Sequence, residues 1–147
     1  MSDRWGYRGY VTHREFGGLR LPVTIQNRLL RDYAAHEGLR IKLTVPEYHF
    51  RDCFMQLRGI CATDLARCEG LIMCSFRMLP GDAEERELVY EAILRSRSTM
   101  HFVMENRVVR DRRDLEELEL LLRMRSALDA CPKAIPLELL PPLGARG

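Results

Sequence analysis

His13 and Arg14 stand together directly after a short β-prone run, Gly6-Tyr7-Arg8-Gly9-Tyr10-Val11, and pair an imidazole with a guanidinium. Such a pair can carry a proton and clamp an anion, because imidazoles exchange protons near neutral pH while guanidinium stays charged. Other hydrogen-bonding groups fall in similar places. Gln26, Asn27 and Arg31 lie on an amphipathic segment, with Asn27 and Arg31 four residues apart and so neighbours on a helix surface. Glu47 and Tyr48 follow a second β-prone run, Ser75 and Arg77 a third, and Glu105 a fourth. A carboxylate beside an apolar cleft suits general acid–base work once its surroundings change its hold on a proton. The expected catalytic groups are therefore His13, Glu47 and Glu105. The expected substrate-binding groups are Tyr10, Thr12, Arg14, Gln26, Asn27, Arg31, Tyr48, Ser75 and Arg77. Each has a structural alternative: a solvated loop pair for His13 and Arg14, a helix-surface contact for Asn27 and Arg31, and pairing with arginines for the carboxylates.

The elements that must position these groups alternate between strand and helix. Tyr7 to Thr12 reads as a first strand, and the paired glycines Gly17-Gly18 make the next stretch a loop. A helix over 22–36 is expected from Pro22 near its start, the stripe Ile25, Leu29, Tyr33, and Gly38 as C-cap. Leu39 to Val45 alternates as a second strand stopped by Pro46, and Phe50, Phe54, Leu57 and Cys61 mark a second helix. Gly70 to Phe76 is a continuous apolar run, the pattern of a strand buried on both faces of a parallel sheet. Asp82, with Glu85 three residues on, caps a third helix running to about Arg95. Met100 to Met104 is a fourth strand, and Leu115, Leu118, Leu122 and Arg125 keep helical spacing.

This βαβ alternation implies parallel pairing and right-handed crossovers. The expected fold is a three-layer α/β sandwich with a mostly parallel sheet of four or five strands in the order 2-1-3-4. Its switch point falls between strands one and three, where open α/β sheets bind ligands. The expected division is one α/β domain over 1–128 and a proline-rich tail over 129–147.

With 23 basic against 21 acidic residues, the formal charge of +2 offers no whole-molecule field for nucleic acid or an anionic membrane. Neither a secretory leader nor a membrane-spanning run is legible, so the protein reads as cytoplasmic. Five cysteines without paired spacing read as reduced thiols, with Cys61 and Cys74 expected to be buried. His49 and Cys53 are one possible pair of metal ligands, but a zinc site needs three or four. No metal or other cofactor is expected, and Ser75 lacks a nucleophile-elbow setting.

Several of these motifs, in order, resemble the sporadic carbohydrate cluster family. They are Gly6-Tyr7-Arg8-Gly9-Tyr10, Pro22, Gln26-Asn27, Arg31-Asp32-Tyr33, Glu47-Tyr48, Ser75-Phe76 before Leu79-Pro80, and His101-Phe102 with Glu105-Asn106. The likeness runs from about Gly6 to Leu122 and implies a place in bacterial surface-polysaccharide biosynthesis. Where that family would carry small hydroxyl residues after the first strand, this chain has Thr12-His13. A more distant similarity is to the catalytic domain of serine recombinases, with a Gly-Tyr first strand and a glutamine, here Gln26, on the first helix. It implies a flavodoxin-like or resolvase-like strand order. That likeness places a nucleophile near Thr12 to Arg14, where no serine stands, and an arginine near Arg77. Without a helix-turn-helix module or a strongly basic face, strand exchange on DNA is not expected.

The expected ligand is a small anionic sugar: a sugar phosphate or nucleotide-linked sugar precursor. Arg14 and Arg31 would hold its charge, His13 or Glu47 would move a proton, and Gln26, Asn27 and Tyr48 would orient hydroxyls. The alternative is a noncatalytic partner or homo-oligomer that organises another enzyme of the same pathway. It is suggested by the leucine-rich fourth helix and the leucines of the tail.

Overall fold

The computed structural model describes residues 4–130. Its strands are β1 Tyr7–Val11, β2 Ile41–Pro46, β3 Gly70–Met73, β4 Thr99–Phe102 and β5 Arg107–Val109. They form one sheet in the order β2-β1-β3-β4-β5, with the first four parallel and β5 antiparallel to β4. The α-helices are α1 Val23–Glu37, α2 Met55–Ala62, α3 Ala83–Ser96 and α4 Arg112–Ala130. No described helix is long and apolar enough to cross a membrane.

The apolar run in β3 makes it the centre of the sheet, with every residue buried. One face carries α1. A Cβ on Gly9 would lie 3.1 Å from Leu30 Cδ1, so the absent side chain is what lets the helix approach the strand. Gly38, in the left-handed conformation, caps α1, and the Asp82 carboxylate accepts from the Glu85 N–H at 3.1 Å to cap α3. On the other face Tyr10 reaches the start of α2 through Glu47, and α2 packs on α3. α4 is tied to α3 by Glu119, which takes Arg86 Nε at 2.9 Å and the Tyr90 hydroxyl at 2.6 Å.

Several expectations shift in detail. The buried face of α1 is Gln26, Leu30 and Ala34, one residue along from the expected stripe, and Ile25 is 47% exposed. A register shift between Tyr7 and Arg8 breaks the alternation of β2, leaving Leu43 56% exposed. α2 starts at Met55, so Phe50 lies outside it and is 71% exposed. β3 ends at Met73, because Ser75 caps a short 3-10 turn over Phe76–Met78. The buried thiols are Cys68 and Cys74, while Cys61 is only half-buried. α4 runs to Ala130, two residues past the expected domain boundary. The tail from Cys131 onward lies outside the described residues.

β5 has the largest consequence for the site. Helices after parallel strands start at the carboxyl rim of the sheet and run away from it. The β4–β5 hairpin reverses that polarity, so α4 returns to the carboxyl rim and delivers its last turns beside the 3-10 turn after β3.

Candidate functional site at the carboxyl rim of the sheet

Four loops meet at this rim, and several of their polar side chains are spent holding it together. Gln26 is fully buried: its Nε2 donates to the Thr12 and Leu21 carbonyls at 2.6 and 2.8 Å, and its Oε1 accepts from the Thr12 N–H at 3.1 Å. One amide thus replaces the strand pairing that β1 loses at its end. Glu47, 2% exposed, is more heavily engaged. It accepts from the Tyr10 hydroxyl at 2.8 Å and from the N–H groups of Tyr48, Gln56 and Leu57 at 3.1, 2.9 and 3.2 Å. Gln56 and Leu57 are in the first turn of α2, where a carboxylate satisfies otherwise orphaned donors and the helix dipole. Burial first, and then the Glu47 charge, push the Tyr10 phenol well above its usual range, so it remains a donor. Glu105 does the same for the neighbouring loop, accepting from Ser75 Oγ at 2.7 Å and the Phe76 N–H at 2.8 Å.

A second set of side chains opens onto three adjoining hollows. The first, about 580 Å³, is lined by His13, His49, Arg14 and Arg20 with Leu21, Pro22 and Val23. The two imidazoles stack with centroids 4.0 Å apart and planes 22° from parallel. The second, about 220 Å³, lies between β1 and β3 and includes Thr12, Arg14, Arg77, Glu15 and Asp52. Arg14 separates these two hollows: its Nη1 donates to the Cys53 carbonyl at 2.6 Å, and its guanidinium lies 4.2 Å from the Phe54 ring centroid. The third, about 380 Å³, contains Arg77, Arg86, Arg123 and Arg125 beside α4. Arg77 separates the second from the third. Its stem crosses Gly17, where a Cβ would sit 2.6 Å from Arg77 Cδ, and its tip pairs with Asp129. Gly17 also holds φ +59°, which favours glycine on backbone grounds, and a Cβ there would force the Arg77 side chain to move.

The switch point therefore lies between β1 and β3 as expected, but the expected residues do not all share it. His13, Thr12, Arg14 and Arg77 line the rim hollows. Tyr10, Gln26, Glu47, Ser75 and Glu105 lie behind the rim as its hydrogen-bonded frame. Tyr48 is exposed, its ring 6.4 Å from Phe50. Asn27 and Arg31 are elsewhere: they line a hollow of about 660 Å³ on the flank between α1 and β2, over an apolar floor of Ala34, Leu39, Ile41 and Leu43. α1 runs away from the rim, so each turn carries its side chains further from His13. The flank hollow is larger than any single rim hollow, but only one of its lining residues is charged. Sequence reasoning missed Arg20, Arg86, Arg123 and Arg125 as rim residues and left His49 out of the expected site, noting it only beside Glu47 and Tyr48 and as half of an incomplete metal pair. Among the described residues no three His, Cys, Asp or Glu side chains cluster as metal ligands. Burial pushes the Cys61 and Cys74 thiols up to about 12, so neither supplies a thiolate near neutral pH.

No protein-family model and no curated protein matches the chain. Among solved structures, it is similar to the N-terminal catalytic domain of TP901-1 integrase. The identity is 14%, the TM-score 0.56, and the match covers 83% of this chain and 93% of that domain. At this identity the likeness shows the fold: an α/β sandwich in the resolvase-like strand order, flanked by helices.

Proposed function

We propose that this protein binds a phosphorylated sugar, either a sugar phosphate or a nucleotide-linked sugar precursor, at the carboxyl rim. One observation carries the reading. The three adjoining hollows bring together Arg14, Arg20, Arg77, Arg123, Arg125 and two imidazoles, with Glu15 and Asp52 as the carboxylates in their walls; Arg86 also lines them but is paired with Glu119, and the tip of Arg77 with Asp129. In a chain with nearly equal acidic and basic totals, that is a local segregation of positive charge at the place where open α/β sheets take ligands. Guanidinium groups match the paired oxygens of a phosphate, and polar loop groups suit sugar hydroxyls. A place in surface-polysaccharide biosynthesis, implied by the family resemblance, fits such a ligand. Any proton transfer falls to His13 or His49, since Glu47 and Glu105 already accept from fixed donors. An integrase-type reaction has little support, because the Thr12 hydroxyl at the end of β1 is buried and accepts from the Arg14 N–H at 3.1 Å.

Arg20 offers the cleanest test, being exposed. Glucose 1-phosphate is expected to raise the melting temperature of the full chain, and Arg20→Ala to weaken its binding about tenfold by removing one charge-assisted contact. If neither glucose 1-phosphate nor inorganic phosphate at millimolar concentration shifts the melting curve, the proposal fails.

The noncatalytic-partner reading has one observation in its favour. Leu120, Met124 and Leu128 recur every fourth residue on α4 and are 53%, 53% and 63% exposed, a stripe that a second surface would cover.

A further inference from the structure

We propose that the hollow between α4 and residues 77–81 is a second anion subsite of the same rim. The ligand would then carry two linked anionic groups, as a pyrophosphate-bridged sugar does. The inference rests on the reading above, that the rim takes a phosphorylated ligand.

Arg77, Arg86, Arg123 and Arg125 line this hollow with Ser126 and Gly81, and no carboxylate lines it. The four cations are not equivalent. Arg86 is committed, with Nε and Nη2 on the Glu119 carboxylate at 2.9 Å and Nη1 on the Pro80 and Gly81 carbonyls at 3.1 and 2.8 Å. Glu119 is in turn saturated, since it also takes the Tyr90 hydroxyl. Among the described residues neither Arg123 nor Arg125 has a hydrogen bond or an ion pair, although the Arg123 charge acts on Glu119. Both are exposed and lie in the second half of α4, which β5 steers to the rim.

Arg77 joins the two subsites. It lines the central hollow with Arg14 on one side and the α4 hollow with Arg123 and Arg125 on the other. The base of the residue is fixed, because Ser75 Oγ accepts its N–H at 3.1 Å, and Gly17 leaves the room through which the side chain passes. Only its tip has a partner an anion can displace, the half-exposed Asp129. In the central hollow Glu15 and Asp52 stand beside Arg14 and Arg77, whereas the walls of the α4 hollow carry cations alone. A monophosphate held by Arg14 and Arg77 leaves those α4 cations uncompensated, and a diphosphate sets its second group against them from the other side of Arg77, where guanidinium serves paired oxyanions well.

The experiment is calorimetric titration of the full chain with inorganic phosphate and with pyrophosphate. Pyrophosphate is expected to bind at least about tenfold more tightly, the worth of one added charge-assisted contact. Arg123→Ala combined with Arg125→Ala should bring that ratio close to one, with circular dichroism confirming the fold. A ratio near one in the wild-type chain, or a ratio that survives the double substitution, overturns the second subsite. The rim reading still stands in that case, provided phosphate binding remains sensitive to Arg20→Ala. If neither anion binds, the rim reading falls and takes this inference with it. Tighter binding of a short oligothymidylate than of pyrophosphate, weakening steeply with salt, also overturns it by assigning the cationic band to nucleic acid.

Discussion

Glu47 and His49 are two residues apart in the loop after β2, and they sit in opposite physical situations. The Glu47 carboxylate is buried and takes four oxygen- or nitrogen-borne protons. The His49 ring is exposed, and its contact is a stacked imidazole. Both residue types belong to the vocabulary of acid–base catalysis, and both lie at the end of a parallel strand. What separates frame from site is how many partners the fold supplies. A saturated polar group has nothing left to offer a ligand, and an unsaturated one at a rim contributes little to folding.

The strongest way to break this contrast is to remove the saturated group. Glu47→Ala should strand the buried N–H groups at the start of α2 and the Tyr10 hydroxyl. The expected cost is about 3–5 kcal/mol, corresponding to roughly two or more unsatisfied buried donors. Urea denaturation would show it as a lower midpoint with the slope retained. A cost below about 1 kcal/mol would mean that water replaces the carboxylate and that Glu47 is not part of the frame.

The fold was largely legible because its signals are local. The β3 apolar run, Gly38 after α1, and Asp82 three residues before Glu85 each state an element boundary in the chemistry of one or two residues. The site was less legible because its key facts are not local. Nothing around Glu47 in the sequence announces Tyr10, 37 residues away, or the turn of α2 that surrounds it. Arg31 belongs with Asn27 by spacing, but both stand on the face of α1 beside β2, so they line the flank while Gln26, one residue earlier, bonds the end of β1 at the rim. Arg123 and Arg125 were invisible for a topological reason. The strand that turns α4 back toward the rim, Arg107–Val109, is three residues long and too short to show a period. The one available hint was Asn106, whose φ of +50° marks the tight turn between β4 and β5.

An intermediate effect is expected at a second buried polar centre. His101, 8% exposed, receives Tyr33 Oη on Nδ1 at 2.7 Å and has Thr99 Oγ1 3.2 Å from Nε2. Tyr7 and Tyr33 meet its ring edge-on. A neutral ring protonated on Nε2 satisfies both neighbours. Burial, followed by the Arg110 charge and opposed by Glu37, lowers its pKa to about 4 from the ordinary 6.5. Between those values the unfolded chain binds a proton that the folded chain refuses, so stability falls as pH drops from about 6.5 toward 4. The slope from this one group is at most about 1.4 kcal/mol per pH unit. Melting temperatures at about pH 7, 5.5 and 4.5 should show the fall, and His101→Gln should flatten it over that window. An unchanged slope in the variant would assign the acid sensitivity to other groups.

The smallest stability effect belongs to the exposed end of the comparison, and there the sign of the contrast reverses. His13 and His49 stack in the open, and stacking of exposed rings in water is worth little because solvent competes for both faces. His49→Ala should therefore change the unfolding free energy by less than about 0.5 kcal/mol, the range for surface substitutions without a buried partner. If the rim is a ligand site, the same substitution should weaken glucose 1-phosphate binding severalfold, since His49 and Arg20 line the same hollow. A residue whose loss leaves folding intact and binding impaired is what an unsaturated group at a switch point should be. If His49→Ala instead cost stability on the scale of Glu47→Ala, the stacked pair would belong to the frame, and the partition between saturated and unsaturated polar groups would no longer identify the site.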